Sequence, residues 1–209
     1  MKISLNGKTA HIDKRGCRHM GHLLEKIQKE FLAQTDVMVR IVANDEDISA
    51  TDESQWPNIP SPPVTRLAVE TAPIKTLSLQ SIHDVRESLD KVQSVLEEVV
   101  EDVGKKDRTD RAVSHFHDVI KLFDQWVFPI VERLCTLYKL PMDTFTVNGQ
   151  SAVVSINLFI KGIEEAVTHL ERSAFEDFRT HLTEEVTPRI TDIDEVFQQI
   201  HQYIQTHGK

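Results

Sequence analysis

Residues 82–103 read IHDVRESLDKVQSVLEEVVEDV, and this stretch decides the fold of most of the chain. Its apolar residues recur in alternating steps of three and four, the a/d pattern of a helix packed against other helices; they are Ile82, Val85, Leu89, Val92, Leu96, Val99 and Val103. Val95 and Val100 widen the stripe beyond the need of a two-stranded coiled coil. The pattern predicts a helix inside a multi-helix bundle, ending at Gly104.

Three more helices are predicted after this one. The second covers about residues 108–139 and is expected to kink at Pro129. The third is predicted to bury Ile156, Ile160, Ile163, Val167 and Leu170. The fourth is predicted to begin at the S-x-x-E capping box of Ser173 and Glu176 and to be bent or split near Pro188. Its expected inward residues are Phe178, Leu182, Val186, Ile190, Ile193, Phe197, Ile200 and Ile204.

The first 72 residues have the pattern ββαββ. Asn6-Gly7 favours a tight hairpin turn, and helical spacing over residues 20–34, with Phe31 among the inward residues, predicts one helix. The proline-rich stretch 54–63 is expected to be an extended surface loop. Alternating or β-branched runs predict strands at residues 2–5, 9–12, 37–42 and 66–70.

This order of elements resembles the ubiquitin-like β-grasp fold: an N-terminal hairpin, one helix across the sheet, then further strands. The resemblance covers about a third of the chain and rests on element order. Conjugated and sulfur-carrier proteins of that fold end in a free Gly-Gly tail, whereas here Thr71-Ala72-Pro73 follows the last predicted strand, which argues against a covalent tag or sulfur carrier. The predicted class is α+β: a small ubiquitin-like β-grasp domain at 1–72, a linker at 73–78, and a four-helix, up-and-down bundle at 79–209.

Composition excludes several functional classes. Lys and Arg number 24 against 33 Asp and Glu, a net charge of −9, which gives no general attraction for nucleic acid or anionic membranes. No run approaches the roughly 18 to 20 apolar residues of a spanning helix, and the start lacks the apolar run of a secretory signal. The two cysteines, far apart, are typical of a reducing compartment. We therefore expect a cytoplasmic protein that contacts neither nucleic acid nor membrane and needs no cofactor.

Residues 11–22, HIDKRGCRHMGH, contain the densest cluster of reactive side chains. A thiolate and three imidazoles could form a zinc site, and the four candidates are His11, Cys17, His19 and His22. Their C-x-H-x-x-H spacing matches no common structural zinc pattern, and basic residues lie beside them. Cys17 could also be a nucleophile. Alternatively, the segment could bind an anion or an acidic partner through Lys14, Arg15, Arg18 and His19, or be an ordinary solvated loop.

The sequence contains no G-x-S-x-G, H-E-x-x-H, G-x-G-x-x-G or C-x-x-C motif. The first hypothesis is therefore a non-enzymatic interaction, scaffold or adaptor protein that binds another protein or itself, including a homodimer through the helical half. The alternative is a metal-dependent or thiol enzyme or module centred on residues 11–22. The candidate interface residues are Val92, Val95, Leu96, Val99, Val100 and Trp126. For Trp126 the preferred explanation is a core anchor, and an interface role is the alternative.

Overall fold

The computed structural model describes residues 1–208, which divide into two compact units at residues 1–77 and 78–208. The first unit contains a mixed β-sheet with one α-helix, and the second is predominantly helical. The fold class is therefore α+β. None of the helices in the described residues is both long enough and apolar enough to cross a membrane.

The sheet of the first unit has the strand order β2-β1-β5-β3-β4, in which β1 and β5 are parallel and the other neighbouring pairs are antiparallel. Its strands are β1 Lys2–Leu5, β2 Lys8–Ala10, β3 Asp36–Ala43, β4 Glu46–Asp47 and β5 Arg66–Pro73. Asn6 and Gly7 have φ of 48° and 77°, as the predicted hairpin requires. Strand β4 was not predicted; it pairs with β3 after a second turn, at Asn44 and Asp45, which also have positive φ.

Helix α1, Met20–Phe31, contributes its apolar face to the core of the first unit. Leu23, Leu24 and Ile27 are fully buried there. Helix α1 is shorter than predicted, and Phe31, expected to point inward, is 43% exposed at its last position. The periodicity continues to Phe31 in sequence, but the helix ends there and Leu32 takes an extended conformation.

The proline-rich stretch is not the predicted extended loop, since Glu53–Asn58 form a 3₁₀ helix. The side chain of Asp52 caps this helix by accepting a hydrogen bond of 2.7 Å from the N–H of Ser54. Farther along, the carbonyl of Ile59 accepts a bond of 2.8 Å from the N–H of Met20. The segment is therefore attached to the start of α1 by backbone hydrogen bonds.

Residues 73–78, which the sequence predicts as a linker, continue regular structure. Pro73 is the last residue of β5, paired with Asp36, and helix α2 begins at the next residue and runs over Ile74–Asp102. The N–H of Ile74 donates to the carbonyl of Thr35 at 2.8 Å, which satisfies one of the donors that a helix start leaves free. All seven a/d residues from Ile82 to Val103 are buried, as predicted.

The rest of the second unit contains helices, two wide helical turns and a short hairpin. In chain order these are α3 Thr109–Leu122, a π turn Phe123–Val127, α4 Phe128–Tyr138, β6 Thr146–Val147, β7 Gln150–Ser151, α5 Ala152–Glu171, α6 Phe175–His181, a second π turn Leu182–Val186, and α7 Thr187–His207. Residues 109–138 and 175–207 are each helical without a break. All eight residues predicted to point inward from the last of these helical segments are buried.

Each π turn ends two residues before a proline, Pro129 in one case and Pro188 in the other. Proline has no N–H, so a regular α-helix would leave one carbonyl of the preceding turn without its donor. In the wide turns the bonding shifts by one residue: Phe128 N–H donates to the carbonyl of Phe123, and Thr187 N–H donates to that of Leu182. The predicted disturbances near Pro129 and Pro188 thus take the form of π turns rather than breaks.

Ser173 does not cap the last helical segment, contrary to the prediction. Its φ is 55°, and its N–H donates to the carbonyl of Leu170 while that of Ala174 donates to His169. These two bonds are the left-handed C-terminal motif of α5. Ser173 therefore ends one helix, and α6 begins at Phe175 with Ala174 as its N-cap residue and without a side-chain cap.

Candidate functional site

Apart from Phe159, helix α5 buries small residues and leaves its large aliphatic ones partly exposed. Its buried face consists of Ala152, Ser155, Phe159, Gly162 and Ala166. The five aliphatic residues predicted to be buried, from Ile156 to Leu170, are only partly buried. The prediction was wrong by about one position around the helix, which corresponds to a rotation of about 100°.

Close packing against the second π turn explains this rotation. A Cβ atom placed on Gly162 would lie 3.4 Å from Cγ2 of Val186. The carbonyl of Gly162 also accepts a hydrogen bond of 2.9 Å from Nε2 of His181. A large aliphatic side chain at position 162 would not fit this approach, so the large residues of α5 lie on its other side.

Three of these aliphatic side chains, those of Ile160, Ile163 and Val167, form one wall of an apolar groove of about 390 Å³, which we call the α5 groove. The opposite wall comes from α3, the first π turn and the start of α4. Aliphatic and aromatic side chains contribute most of both walls: Ile120, Phe123, Phe128, Ile160, Ile163 and Val167. A depression of this volume is in the size range of binding sites for ligands and partner side chains.

The floor of the α5 groove is an aromatic cluster. Phe159 is fully buried, and its ring centroid lies 4.5 Å from that of Phe123 and 6.5 Å from that of Phe128. Phe123 and Phe128 bracket the first π turn, and their centroids are 5.5 Å apart. The wide turn before Pro129 therefore sets the positions of two of the three rings.

Three exposed acids border the α5 groove: Asp124 on the π turn, and Glu164 and Glu171 on α5. Within residues 1–208, none of the three forms an ion pair. Acidic neighbours differ, since Glu165 pairs with Lys161 at 3.4 Å and Asp118 pairs with Lys121 at 3.4 Å. Lys121 and Lys161 are thus engaged by other acids, whereas Arg172, which follows Glu171 in the sequence, forms no ion pair among the described residues. The border of the groove therefore carries three exposed acids without an ion pair.

A second, shallower groove of about 330 Å³ lies between α2 and α3. Its lining is mainly apolar and includes Val92, Val95, Val119 and Leu122. Among the candidate interface residues, Val92, Leu96 and Val99 are buried in the helical core, and of these three only Val92 also lines this groove. Val95 and Val100 are partly buried, and Val95 lines this second groove.

Trp126, the remaining interface candidate, lies in the first π turn. It is partly buried against the helical core and does not line the α5 groove. Its neighbours in sequence, Asp124 on the border and Phe128 in the wall, contribute to the groove instead.

Three of the four predicted anion-binding residues already contact other groups of the first unit. The guanidinium of Arg15 contacts the carboxylate of Asp13 at 3.0 Å, and it holds the pKa of Asp13 at about 2. The ammonium of Lys14 donates to the carbonyl of Met1 at 2.7 Å. His19 uses Nδ1 to cap α1 by accepting from His22 N–H at 3.3 Å. Of the four predicted anion-binding residues, only Arg18 extends from this loop without a side-chain contact in the described part of the chain.

The four candidate metal ligands are not brought together. His19 and His22 have ring centroids 3.8 Å apart, but His11 is exposed elsewhere on the loop, and Cys17 is partly buried against the core of the first unit. In residues 1–208 no group of three or more His, Cys, Asp or Glu side chains is arranged to hold a metal ion. The other cysteine, Cys135, has a pKa raised by burial and by the nearby charge of Glu132.

Comparison with known protein families, with curated protein sequences and with solved structures returned no match. The α5 groove is the candidate site that the sequence interpretation missed. Its signal was present, since Ile156, Ile160, Ile163 and Val167 form a continuous stripe, but the stripe was assigned to the core. Small residues lie one position earlier than three of these four, above all Gly162 and Ala166. Their presence could have indicated that the neighbouring face of α5 is the one packed against the core.

Proposed function

We propose that this chain is a non-enzymatic interaction or adaptor protein that binds a partner protein in the α5 groove. The observation that carries the proposal is the partial exposure of Ile160, Ile163 and Val167 on a helix that buries alanine and glycine. Contiguous apolar surface of this kind is typical of sites that bind proteins or ligands.

The architecture that we propose joins a β-grasp module to a four-helix, up-and-down bundle. The β-grasp assignment is supported by the N-terminal hairpin, the single helix α1 against the sheet, and the position of β5 between β1 and β3. Four long helical segments, at residues 74–102, 109–138, 152–171 and 175–207, support the bundle. Short connections join the first to the second and the third to the fourth, and a longer connection with the β6–β7 hairpin joins the middle two.

Self-association through the helical half stays a prediction, and the second groove with Val95 is the surface that favours it. Light scattering coupled to size exclusion on the full chain separates the two cases. A dimer that Val95→Glu dissociates would assign the second groove to a second copy. A monomer would leave a heterologous partner as the occupant of this protein's apolar surfaces.

Selection from a display library of random 16-residue peptides tests the proposal and does not require that the partner be identified first. The bait is the immobilised full chain, and the groove variant is Ile160→Glu combined with Ile163→Glu. Leu137→Glu is the matched control, because Leu137 is 48% exposed and lies on α4 outside the groove. We expect enriched peptides that bind the wild type and the control but bind the groove variant at least roughly tenfold more weakly, a difference of about 1.4 kcal/mol.

Two results would contradict the proposal. One is the failure of repeated selection to enrich any peptide on a bait with native circular dichroism. The other is a set of peptides that bind the groove variant as tightly as the wild type.

A further inference from the structure

We infer that the α5 groove binds a basic amphipathic helix of a partner protein, about three turns long. This inference rests on the proposed function and adds the chemistry of the partner. It follows from the shape of the groove, from the state of the backbone in its walls, and from the charge at its border.

The groove has the length of a short helix. Along α5 its lining residues are Ile160, Ile163, Glu164, Val167, Thr168 and Glu171. Their spacing follows one face of the helix for about 16 Å, since each residue advances about 1.5 Å. A helix of about eleven or twelve residues, with apolar anchors at i, i+4 and i+7, matches that length.

The helical walls favour an occupant whose backbone N–H and C=O groups are hydrogen-bonded to one another. Both walls come from helical segments, most of whose N–H and C=O groups are bonded within the helix. An extended peptide would find no free sheet edge there and would bring unpaired backbone groups to an apolar surface, which costs free energy. A helical occupant bonds its backbone internally and presents only side chains, so the groove favours a helix over a strand.

The charge at the border selects a basic occupant. Asp124 lies on one side of the groove, while Glu164 and Glu171 lie on the other, seven residues apart or about 10.5 Å along α5. None of them has an ion pair within the described residues 1–208, whereas Lys121 and Lys161 are engaged by Asp118 and Glu165. Lysine or arginine residues on both flanks of the apolar anchors, with two of them seven residues apart, would complement this border.

Two synthetic peptides of 16 residues test the inference on the full chain. Both carry leucine at the anchor positions, and all other positions are lysine and alanine in one peptide and glutamate and alanine in the other. The charge-reversal variant is Asp124→Lys with Glu164→Lys. Its matched control is Glu98→Lys with Glu101→Lys, two exposed acids of α2 outside the groove, which change the net charge by the same amount.

Fluorescence anisotropy at low and moderate salt measures the two affinities. We expect the lysine peptide to bind the wild type and the control variant roughly tenfold more tightly than the glutamate peptide. The charge-reversal variant should lose or invert that preference, and Ile163→Glu should weaken the lysine peptide on the wild-type background.

Equal binding of both peptides, abolished by Ile163→Glu, would overturn the inference and leave the proposed function intact. The inference would also fall if charge reversal changed the preference no more than the control did. Binding of neither peptide would overturn it as well, and the library selection decides the proposed function separately.

Discussion

The two units of the chain differ in the surroundings of their unpaired charges. In residues 1–77 many charged side chains contact one another or backbone carbonyls: Arg40 contacts Asp47 at 3.0 Å and Glu70 at 3.3 Å, and the ammonium of Lys26 donates to the carbonyl of Asp13. Arg18 and Glu46 have no side-chain partner among the described residues, but neither lines an apolar groove of the helical unit. In residues 78–208 ion pairs also form, but the acids at the border of the α5 groove have none. Unsatisfied charge beside apolar surface, rather than charge alone, marks the surface that suits a partner.

Exposed apolar groups differ in the same way. In the first unit the large exposed ones, Phe31 and Val39, lie on separate elements, as single apolar residues do on any protein surface. In the second unit the large exposed ones, Leu137, Val153 and Val154, lie outside the α5 groove. The partly buried Ile160, Ile163 and Val167, in contrast, line up along one helix and face an aromatic floor. The helical unit thus offers the more specific binding surface, and the following substitutions test that difference.

The largest expected effect is a loss of stability on substitution in the floor of the groove, compared with substitution in its wall. Phe159→Ala should lower the free energy of unfolding by about 3–5 kcal/mol, because it empties a fully buried site between two other rings. Ile160→Ala, in the wall, should cost only about 1 kcal/mol because its side chain remains partly in solvent. Urea unfolding followed by Trp126 fluorescence in a Trp56→Phe background measures both. Equal costs would mean that Ile160 belongs to the core and that the groove is not a free surface.

The next largest loss of stability is expected from substitutions in two hairpin turns, one in each unit. Asn148 and Gly149 have φ of 49° and 80°, closely matching the turn at Asn6 and Gly7. Gly7→Val and Gly149→Val should each cost about 1–2 kcal/mol, because a β-branched residue is strained at positive φ. Trp56 fluorescence should report the first loss and Trp126 fluorescence the second. Lys8→Val and Gln150→Val are the controls, as they add valine in the adjacent strand; losses as large as those of the glycine variants would disprove the explanation.

A smaller effect is expected at the ion pair between α2 and α7. Arg86 donates to both carboxylate oxygens of Asp194, at 2.6 and 2.9 Å, and this contact raises the pKa of Arg86. Because both side chains are about one-third exposed, Arg86→Met should cost only about 1 kcal/mol in urea unfolding. Lys91→Met, at an exposed position of α2 without an ion pair in residues 1–208, should cost less than half as much. A control that is equally destabilised would assign the loss to the helix surface rather than to the pair.

The smallest expected effect is a loss of stability of the first unit at acidic pH. Hydrogen bonds from Ser49 and then Arg40 hold the pKa of Asp47 at about 2, below its ordinary value of 3.8, and Arg15 lowers that of Asp13 similarly. A depressed folded pKa stabilises the protein above the unfolded value, and that stability is lost as the pH falls from about 4 to 2. The melting temperature reported by Trp56 in a Trp126→Phe background should therefore fall across this range.

Asp47→Asn should make that decline shallower, whereas Glu46→Gln, which removes a carboxylate with no side-chain partner among the described residues, should leave it unchanged. The change should be slight because both carboxylates face solvent, where ion pairs contribute little. An identical decline in wild type and Asp47→Asn would show that other groups govern acid sensitivity.

Local patterns determined much of the fold from the sequence alone. The a/d seam from Ile82 to Val103 and the inward stripe from Phe178 to Ile204 are buried as predicted, because three-four spacing on a helix places those residues on one face whatever packs against them. The Asn6-Gly7 turn was equally predictable, since few other residue pairs adopt positive φ at both positions. Pro129 and Pro188 likewise predicted a disturbance in their helices, but not that it would take the form of a π turn.

Tertiary packing alone decided which face of α5 is buried. Hydrophobicity favours Ile156, Ile160, Ile163 and Val167 as core residues, but the approach of the second π turn to Gly162 requires small side chains, so the larger ones were left at the surface. The site shares this origin, because Asp124 and Glu164 come from separate helical segments and meet only when those segments pack. A sequence pattern reports which residues share a face of one helix; which face another helix can approach closely depends on the shapes of both.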